Sequence, residues 1–304
     1  MQNTSHLLMI RPVNFGFNAE TAVNNAFQVA SNDASTHKKA LQEFDAFADL
    51  LIKNGLDVTI IEDTPEPFTP DSIFPNNWIS FHEHGNIILY PMFADNRRKE
   101  RKQHVLDAIQ HKFKPAKIID LSSYENEHLY LEGTGSMVLD RNNKIAYACL
   151  SPRTNKEVLD KFCALTHYTP VVFTAVDASD QLVYHTNVMM CIANQYTVVC
   201  LNSIRNKEEK ERLVAAIEQT NKLIIPLSLD QMHSFAGNML QVKNKDGEAL
   251  LILSSRAYHS LTMEQLTILN KYNRILHASL NTIETAGGGS ARCMLAEVFL
   301  PAKT

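Results

Sequence analysis

No stretch of this 304-residue chain is apolar for long enough to cross a bilayer, which takes about 20 residues. The early run in MQNTSHLLMIRPV is cut off by Arg11 and Pro12 and is too short for a secretory signal, so a cytoplasmic protein with no membrane partner is expected. A basic tract is also missing: 29 Lys and Arg are dispersed among 33 Asp and Glu, giving a net charge of -4, which argues against nucleic acid and for a small solute. The five cysteines, Cys149, Cys163, Cys191, Cys200 and Cys293, form no CxxC pair, and their odd number favours free thiols. There is no HExxH, and GTGS and GGGS lack both the lysine of a phosphate loop and the full GxGxxG spacing, so neither metal nor nucleotide cofactor is expected. His82 and His84 in FHEHGN fall at a hairpin turn where exposure to solvent is expected. No linker rich in Pro, Gly or Ser divides the chain, and 45% apolar residues suffice for one buried core.

What is present is a repeated pattern. Strand pairs over 78–82 and 86–91, 136–140 and 144–150, 188–193 and 196–201, and 239–243 and 249–254 are joined by short polar turns. They lead into amphipathic segments over 97–113, 154–165, 206–219 and 262–272, and short apolar strands follow over 116–121, 170–174, 222–226 and 274–278, with a further one over 56–61. Asn77, Gly135, Asn187, Asn238 and Cys293 are equivalent starting points, spaced by 58, 52, 51 and 55 residues. Arg97, Arg153, Arg205 and Arg256 follow the hairpins. A doubly wound parallel sheet is the rival α/β reading, but it needs a helical crossover where this chain has polar turns. About five such units in a closed ring bring the starting residues to one cavity. The polar stretch 18–38 reads as a loop, a candidate lid, leading into a helix over 38–54.

Chemistry-bearing residues fall near those starting points. Cys293 follows three glycines, which let the chain pass close to a solute, and a short helical turn begun by Ser290 would favour its thiolate. His185 in LVYHTN offers a base of suitable range, with His6, His82, His84, His128, His233 and His259 as competitors. Glu132 in LEGTGS is placed to orient an imidazole. In TPDSIFPNNWISF, Asp71 suits a guanidinium, while Asn76 and Asn77 suit a neutral ureido group; a packed turn with capping asparagines is the structural alternative.

Taken in order, FPNNW, LEGTGS, SPRTN, YHTN and GGGSARCM resemble the guanidino-modifying superfamily over nearly the whole chain. That superfamily includes arginine deiminases, dimethylarginine hydrolases, arginine dihydrolases and amidinotransferases, and the bacterial citrulline-utilisation hydrolases are the most similar group. The resemblance implies the α/β pentein fold, a five-bladed propeller of ββαβ units around a central site, with residues 1–304 forming one catalytic domain. It implies Cys293 as nucleophile, His185 as base and Glu132 as the carboxylate that holds His185. Arg97, with Arg98 as its alternative, and Arg153 look like the arginines that meet a substrate α-carboxylate, and Asp71, Asn77 and Asn187 look like the head-group contacts. Asn77 and Asn187 stand where deiminases often carry aspartates, which removes charge and keeps hydrogen bonds. The activity implied is hydrolysis of a C–N bond in the ureido or guanidino group of citrulline or arginine through a covalent cysteine adduct, yielding ornithine and ammonia. No cofactor is implied, and the partner is a small amino acid, with a homodimer as the candidate assembly. Amidinotransferase, arginine deiminase and non-catalytic small-molecule binding protein are the alternatives.

Overall fold

A computed structural model describes residues 1–30 and 35–303. In chain order the strands are β1 (His6–Arg11), β2 (Asp57–Glu62), β3 (Ile79–Phe81), β4 (Asn86–Leu89), β5 (Lys117–Asp120), β6 (Val138–Asp140), β7 (Ile145–Cys149), β8 (Thr169–Phe173), β9 (Met190–Ile192), β10 (Tyr196–Val199), β11 (Leu223–Pro226), β12 (Leu240–Lys243), β13 (Ala249–Ser254), β14 (Arg274–Ala278) and β15 (Ala296–Glu297). They form five three-stranded sheets. In β3-β4-β5, β6-β7-β8, β9-β10-β11 and β12-β13-β14 a hairpin is followed by a helical crossover to a parallel third strand.

The fifth sheet has the same pattern but draws on both ends of the chain. β15 pairs antiparallel with β1, and β1 pairs parallel with β2 across the helix Thr36–Lys53. β1 is an element the sequence reading did not assign. Its LLMI core is buried on both faces and shows no alternation, as a central strand must. The third strands β5 and β11 are apolar in sequence yet largely exposed, because each lies at the edge of its sheet. His82 is buried rather than exposed, its Nε2 2.8 Å from Ser80 Oγ at the base of the turn, while His84 is exposed as expected.

Helices between second and third strands follow from ordinary signals. Lys156–Thr166 begins where Asn155 accepts the Glu157 N–H and buries Val158, Leu159, Phe162 and Cys163 as one stripe. Each large apolar side chain so buried stabilises by about 1.5–3 kcal/mol. Met263–Asn270 starts with a Thr262–Gln265 capping box.

The site is positioned by what precedes the hairpins. One-turn helices Pro75–Asn77, Gly133–Ser136, Thr186–Met189 and Ala291–Met294 stand at the entry to four units, and a tight turn ending at Asn238 stands at the other. Neighbouring turns touch, and β3 packs on β15, β6 on β9 and β9 on β12. Close approach depends on glycine at Gly135: a Cβ there would lie 2.3 Å from Asn77 Nδ2 and 2.8 Å from His185 Nδ1. Within 18–38, Ala19–Ala22 is a short helix and the long helix starts at Thr36; residues 31–34 of the candidate lid lie outside the described residues.

Candidate active site

Cys293 is buried between two asparagines from neighbouring units. Asn187 Nδ2 lies 3.5 Å from its sulfur, and Asn238 Nδ2 lies 3.3 Å away. Ser290 precedes a one-turn helix, but its hydroxyl donates to Glu284 at 2.6 Å instead of capping that turn, and four residues generate little dipole. The neighbours of the sulfur are therefore side-chain amides. All five cysteines are free and buried, and burial pushes the Cys149, Cys163 and Cys191 thiols up to about 12.

His185 Nε2 lies 2.7 Å from Glu132 Oε2, with both side chains buried. The other Glu132 oxygen accepts the Phe93 N–H at 3.0 Å. An ionised carboxylate only accepts, so His185 carries its proton on Nε2 and presents a bare Nδ1. Burial dominates the His185 shift and lowers it to about 4 despite the favourable Glu132 charge, so the ring is neutral near pH 7. Burial alone would raise Glu132, but Arg153, His185 and Arg97 more than offset it and hold it at about 2.

Arg97, not its neighbour Arg98, enters this centre. Its guanidinium donates to Glu100 at 2.9 and 3.0 Å, to Asn77 Oδ1 at 2.8 Å and to Phe74 O at 3.2 Å. It stands 3.9 Å from Asp71 and 3.8 Å from Glu132. Arg98 turns outward to Asp95. Arg153 lies 3.6 Å from Glu132, stacks over Tyr184 and grips Thr21 O at 2.7 Å and Asn24 Oδ1 through its Nε at 2.8 Å. The repeated arginines are thus not equivalent: Arg205 is exposed and Arg256 rests on Phe235.

These groups enclose one pocket, lined by Asp71, Asn77, Arg97, Arg153, His185 and Cys293 together with Phe74, Tyr184 and the three glycines Gly287, Gly288 and Gly289. Gly288 takes a left-handed conformation at φ +63°, and a Cβ on Gly289 would strike the Phe74 ring at 2.9 Å, so this wall requires glycine. Thr21 and Asn25 also line the pocket, and the free space of about 10 Å³ holds no more than one water. Asn18 Nδ2 and Thr21 Oγ1 both donate to Asp71 Oδ2, at 2.8 and 3.1 Å. Asp71 Oδ1, Asn77 Nδ2 and Asn187 Oδ1 are buried with no hydrogen-bond partner among the described residues. Asp71 and Asn77 line this pocket, so one acceptor and one donor are left unmatched on its wall, whereas Asn187 lines a separate cavity and meets the site only through its Nδ2 beside the sulfur.

The charges are unequal. Arg97 and Arg153 face Asp71, Glu100 and Glu132, all buried, which leaves an excess negative charge when the three carboxyls are ionised. Burial raises Asp71, and it raises Glu100 to about 7, with Arg97 offsetting only part of the cost. Glu100 and the pocket residues Thr21, Asn25 and Tyr184 escaped the sequence reading, and Asn238 was marked only as the start of a unit. Among the described residues no group of three or more His, Cys, Asp or Glu side chains is arranged to hold a metal ion. Nor is any described helix long and apolar enough to cross a membrane.

Five hairpin-and-crossover units whose entry turns converge on a cysteine and a histidine–carboxylate pair place the chain in the pentein superfamily of guanidino-modifying proteins. More narrowly, it belongs to the family described as N,N dimethylarginine dimethylhydrolase, eukaryotic, whose profile matches residues 11–300. Comparison with curated proteins gives no match. Among solved structures it resembles ArgZ, an arginine dihydrolase from the ornithine–ammonia cycle in cyanobacteria, with a TM-score of 0.76 and 16% identity over 97% of this chain. AgrE, solved with L-arginine in a cysteine-to-alanine variant, superposes with a TM-score of 0.77 at 15% identity over 98% of this chain. The chain spans 41% of the ArgZ chain and 40% of the AgrE chain, but 98% of the separate ArgZ N-terminal domain. A dimethylarginine dimethylaminohydrolase adduct with S-methyl-L-thiocitrulline gives a TM-score of 0.67 at 14% identity, covering 97% of this chain and 99% of that one.

Proposed function

We propose that the protein hydrolyses a C–N bond in the guanidino group of arginine or an N-substituted arginine through a covalent adduct on Cys293. The observation that carries this reading is the shared pocket of Cys293 and His185, with Glu132 2.7 Å behind the imidazole. The Cys293 thiol gives its proton to His185 and the thiolate attacks the planar guanidino carbon. As the adduct collapses, the C–N bond breaks and the imidazolium returns that proton to the departing nitrogen. Neutral His185 then takes a proton from water as the water oxygen adds to the carbon; the C–S bond breaks as the carbonyl forms, and the proton returns from His185 to the sulfur, regenerating the thiol. From arginine the first round releases ammonia and citrulline. A second round on the ureido carbon gives ornithine, with ammonia and carbon dioxide from the remainder.

A cationic head group is favoured by Asp71, whose Oδ1 is a buried acceptor on the pocket wall with no partner among the described residues. Citrulline is the second reading, favoured by the neutral Asn77 amide on the pocket wall and the neutral Asn187 amide beside the Cys293 sulfur. Arg153 is the residue for the substrate carboxylate, while Arg97 organises the head-group end. Substrate entry requires Thr21 and Asn25 to move, so we read the segment from Asn18 onward as the lid. We also read the five units as a closed ring forming one catalytic domain, a reading supported by the packing of β3 on β15, β6 on β9 and β9 on β12.

Initial rates on arginine, citrulline and N,N-dimethylarginine, with ammonia, dimethylamine and ornithine measured separately, test the reaction and its extent. Asn77→Asp should raise the arginine-to-citrulline ratio of kcat/KM. Arg97 already donates to Asn77 Oδ1 and would neutralise part of the new charge, so the expected rise is about tenfold. An unchanged ratio would mean that charge at this position does not select the substrate.

A further inference from the structure

We propose that Asn238 is a catalytic residue whose side-chain amide donates to the Cys293 sulfur and stabilises it as the thiolate. The proposal rests on the reading of Cys293 as nucleophile and adds a residue to that step.

Asn238 opens the fourth unit immediately before β12 and is fully buried. Its backbone is fixed by a tight turn in which a Cβ on Gly237 would lie 2.3 Å from Val188 O, so the turn packs directly on the entry to the third unit. The amide orientation is set by its partners. Oδ1 accepts the backbone N–H of Arg292 at 3.0 Å, and Nδ2 donates to the carbonyl of Asn187 at 2.9 Å. A flipped amide would put oxygen against oxygen and N–H against N–H, so the nitrogen is the atom facing the sulfur. It lies 3.3 Å from Sγ, against 3.7 Å for Oδ1.

A second amide reinforces it. Asn187 Nδ2 lies 3.5 Å from the same sulfur, and Asn238 ties the two residues together through the Asn187 carbonyl. Cys149 offers the contrast: its sulfur is near the Val183 carbonyl and the Thr186 hydroxyl, each at 3.5 Å, and the hydroxyl already donates to Ser136 O at 2.6 Å. When the Cys293 S–H bond breaks and its proton passes to His185, the sulfur lone pairs accept the Asn238 N–H, and a hydrogen bond to an ionised partner is about twice as strong as a neutral one. Because an amide carries no net charge, it supports the thiolate without opposing a cationic substrate.

The test is the pH dependence of Cys293 alkylation by iodoacetamide, followed by mass spectrometry of the Cys293 peptide in the parent, Asn238→Ala and Asn238→Asp. Asn238→Ala should react about tenfold more slowly at pH 7, with its midpoint about one pH unit higher and the high-pH plateau unchanged. Asn238→Asp has the same shape and keeps an acceptor for the Arg292 N–H, but turns an oxygen toward the sulfur. Its midpoint should move further upward, and it decides the matter if the alanine variant does not fold. Profiles that coincide with the parent, or rates lowered by one factor at every pH, would overturn the proposal, since a change in access scales the whole curve. Alkylation needs no substrate, so the two readings fail separately: turnover that survives Cys293→Ser removes the nucleophile assignment, whereas an unmoved profile in an enzyme that needs Cys293 removes only Asn238.

Discussion

Replacing Cys293 with serine is expected to lower turnover of every guanidino or ureido substrate by at least about 10⁴-fold while leaving the protein folded. Among the described residues of the pocket, the sulfur is the group that combines nucleophilicity at neutral pH with a position between hydrogen-bond donors. A serine hydroxyl would have to lose its proton to His185, whose affinity for protons burial has already lowered to about 4. That base suffices for a thiol far better than for an alcohol. Asn187 and Asn238 can donate to a serine oxygen as they do to sulfur, and the side chain barely changes volume, so packing around the site should hold. Initial rates together with a thermal melt check both halves, and substantial turnover by the serine variant would remove the covalent mechanism.

Glu132→Gln should lower kcat by about 10²–10⁴-fold with a smaller change in KM. Glu132 Oε1 accepts the Phe93 N–H, so a glutamine keeps its carbonyl oxygen there and turns its NH₂ toward His185 Nε2. The ring must then accept at Nε2 and carry its proton on Nδ1, which blocks the nitrogen that serves as base. The stability signature has a definite sign. Glu132 sits at about 2 in the fold against an ordinary value of 4.5, so it contributes stability above pH 4.5 that disappears as pH falls toward 2. The contribution is on the order of 3 kcal/mol, and the variant should lose that acid-side slope. Chemical denaturation between pH 2 and pH 6, alongside kcat and KM, measures it; an unchanged kcat would assign the orientation of His185 to another group.

The repeat was legible because hairpins and crossovers leave different marks: polar turns of a few residues against amphipathic segments. It also put Asn77, Gly135, Asn187, Asn238 and Cys293 at equivalent positions, and the fold gathers their entry turns. β1 was hidden because a strand buried on both faces has no period, and because its hairpin partner β15 lies at the other end of the chain. Glu100 was hidden for a different reason. Nothing in DNRRKERK separates a carboxylate that will be buried beside Arg97 from one on a solvated helix, and only tertiary packing makes that choice. The same is true of Arg97 against Arg98, two adjacent residues that the short helix Asp95–Arg98 sends in opposite directions.

The central claim is that carbon becomes bonded to the sulfur of Cys293 during turnover. Mixing the protein with arginine, quenching in acid within one turnover and weighing the Cys293 peptide tests it directly. The account predicts a mass increase on that peptide equal to the substrate less ammonia, appearing before free product and absent from Cys293→Ser. Full turnover with no adduct on any peptide under conditions that trap the intermediate, or an adduct carried by another residue, would contradict it.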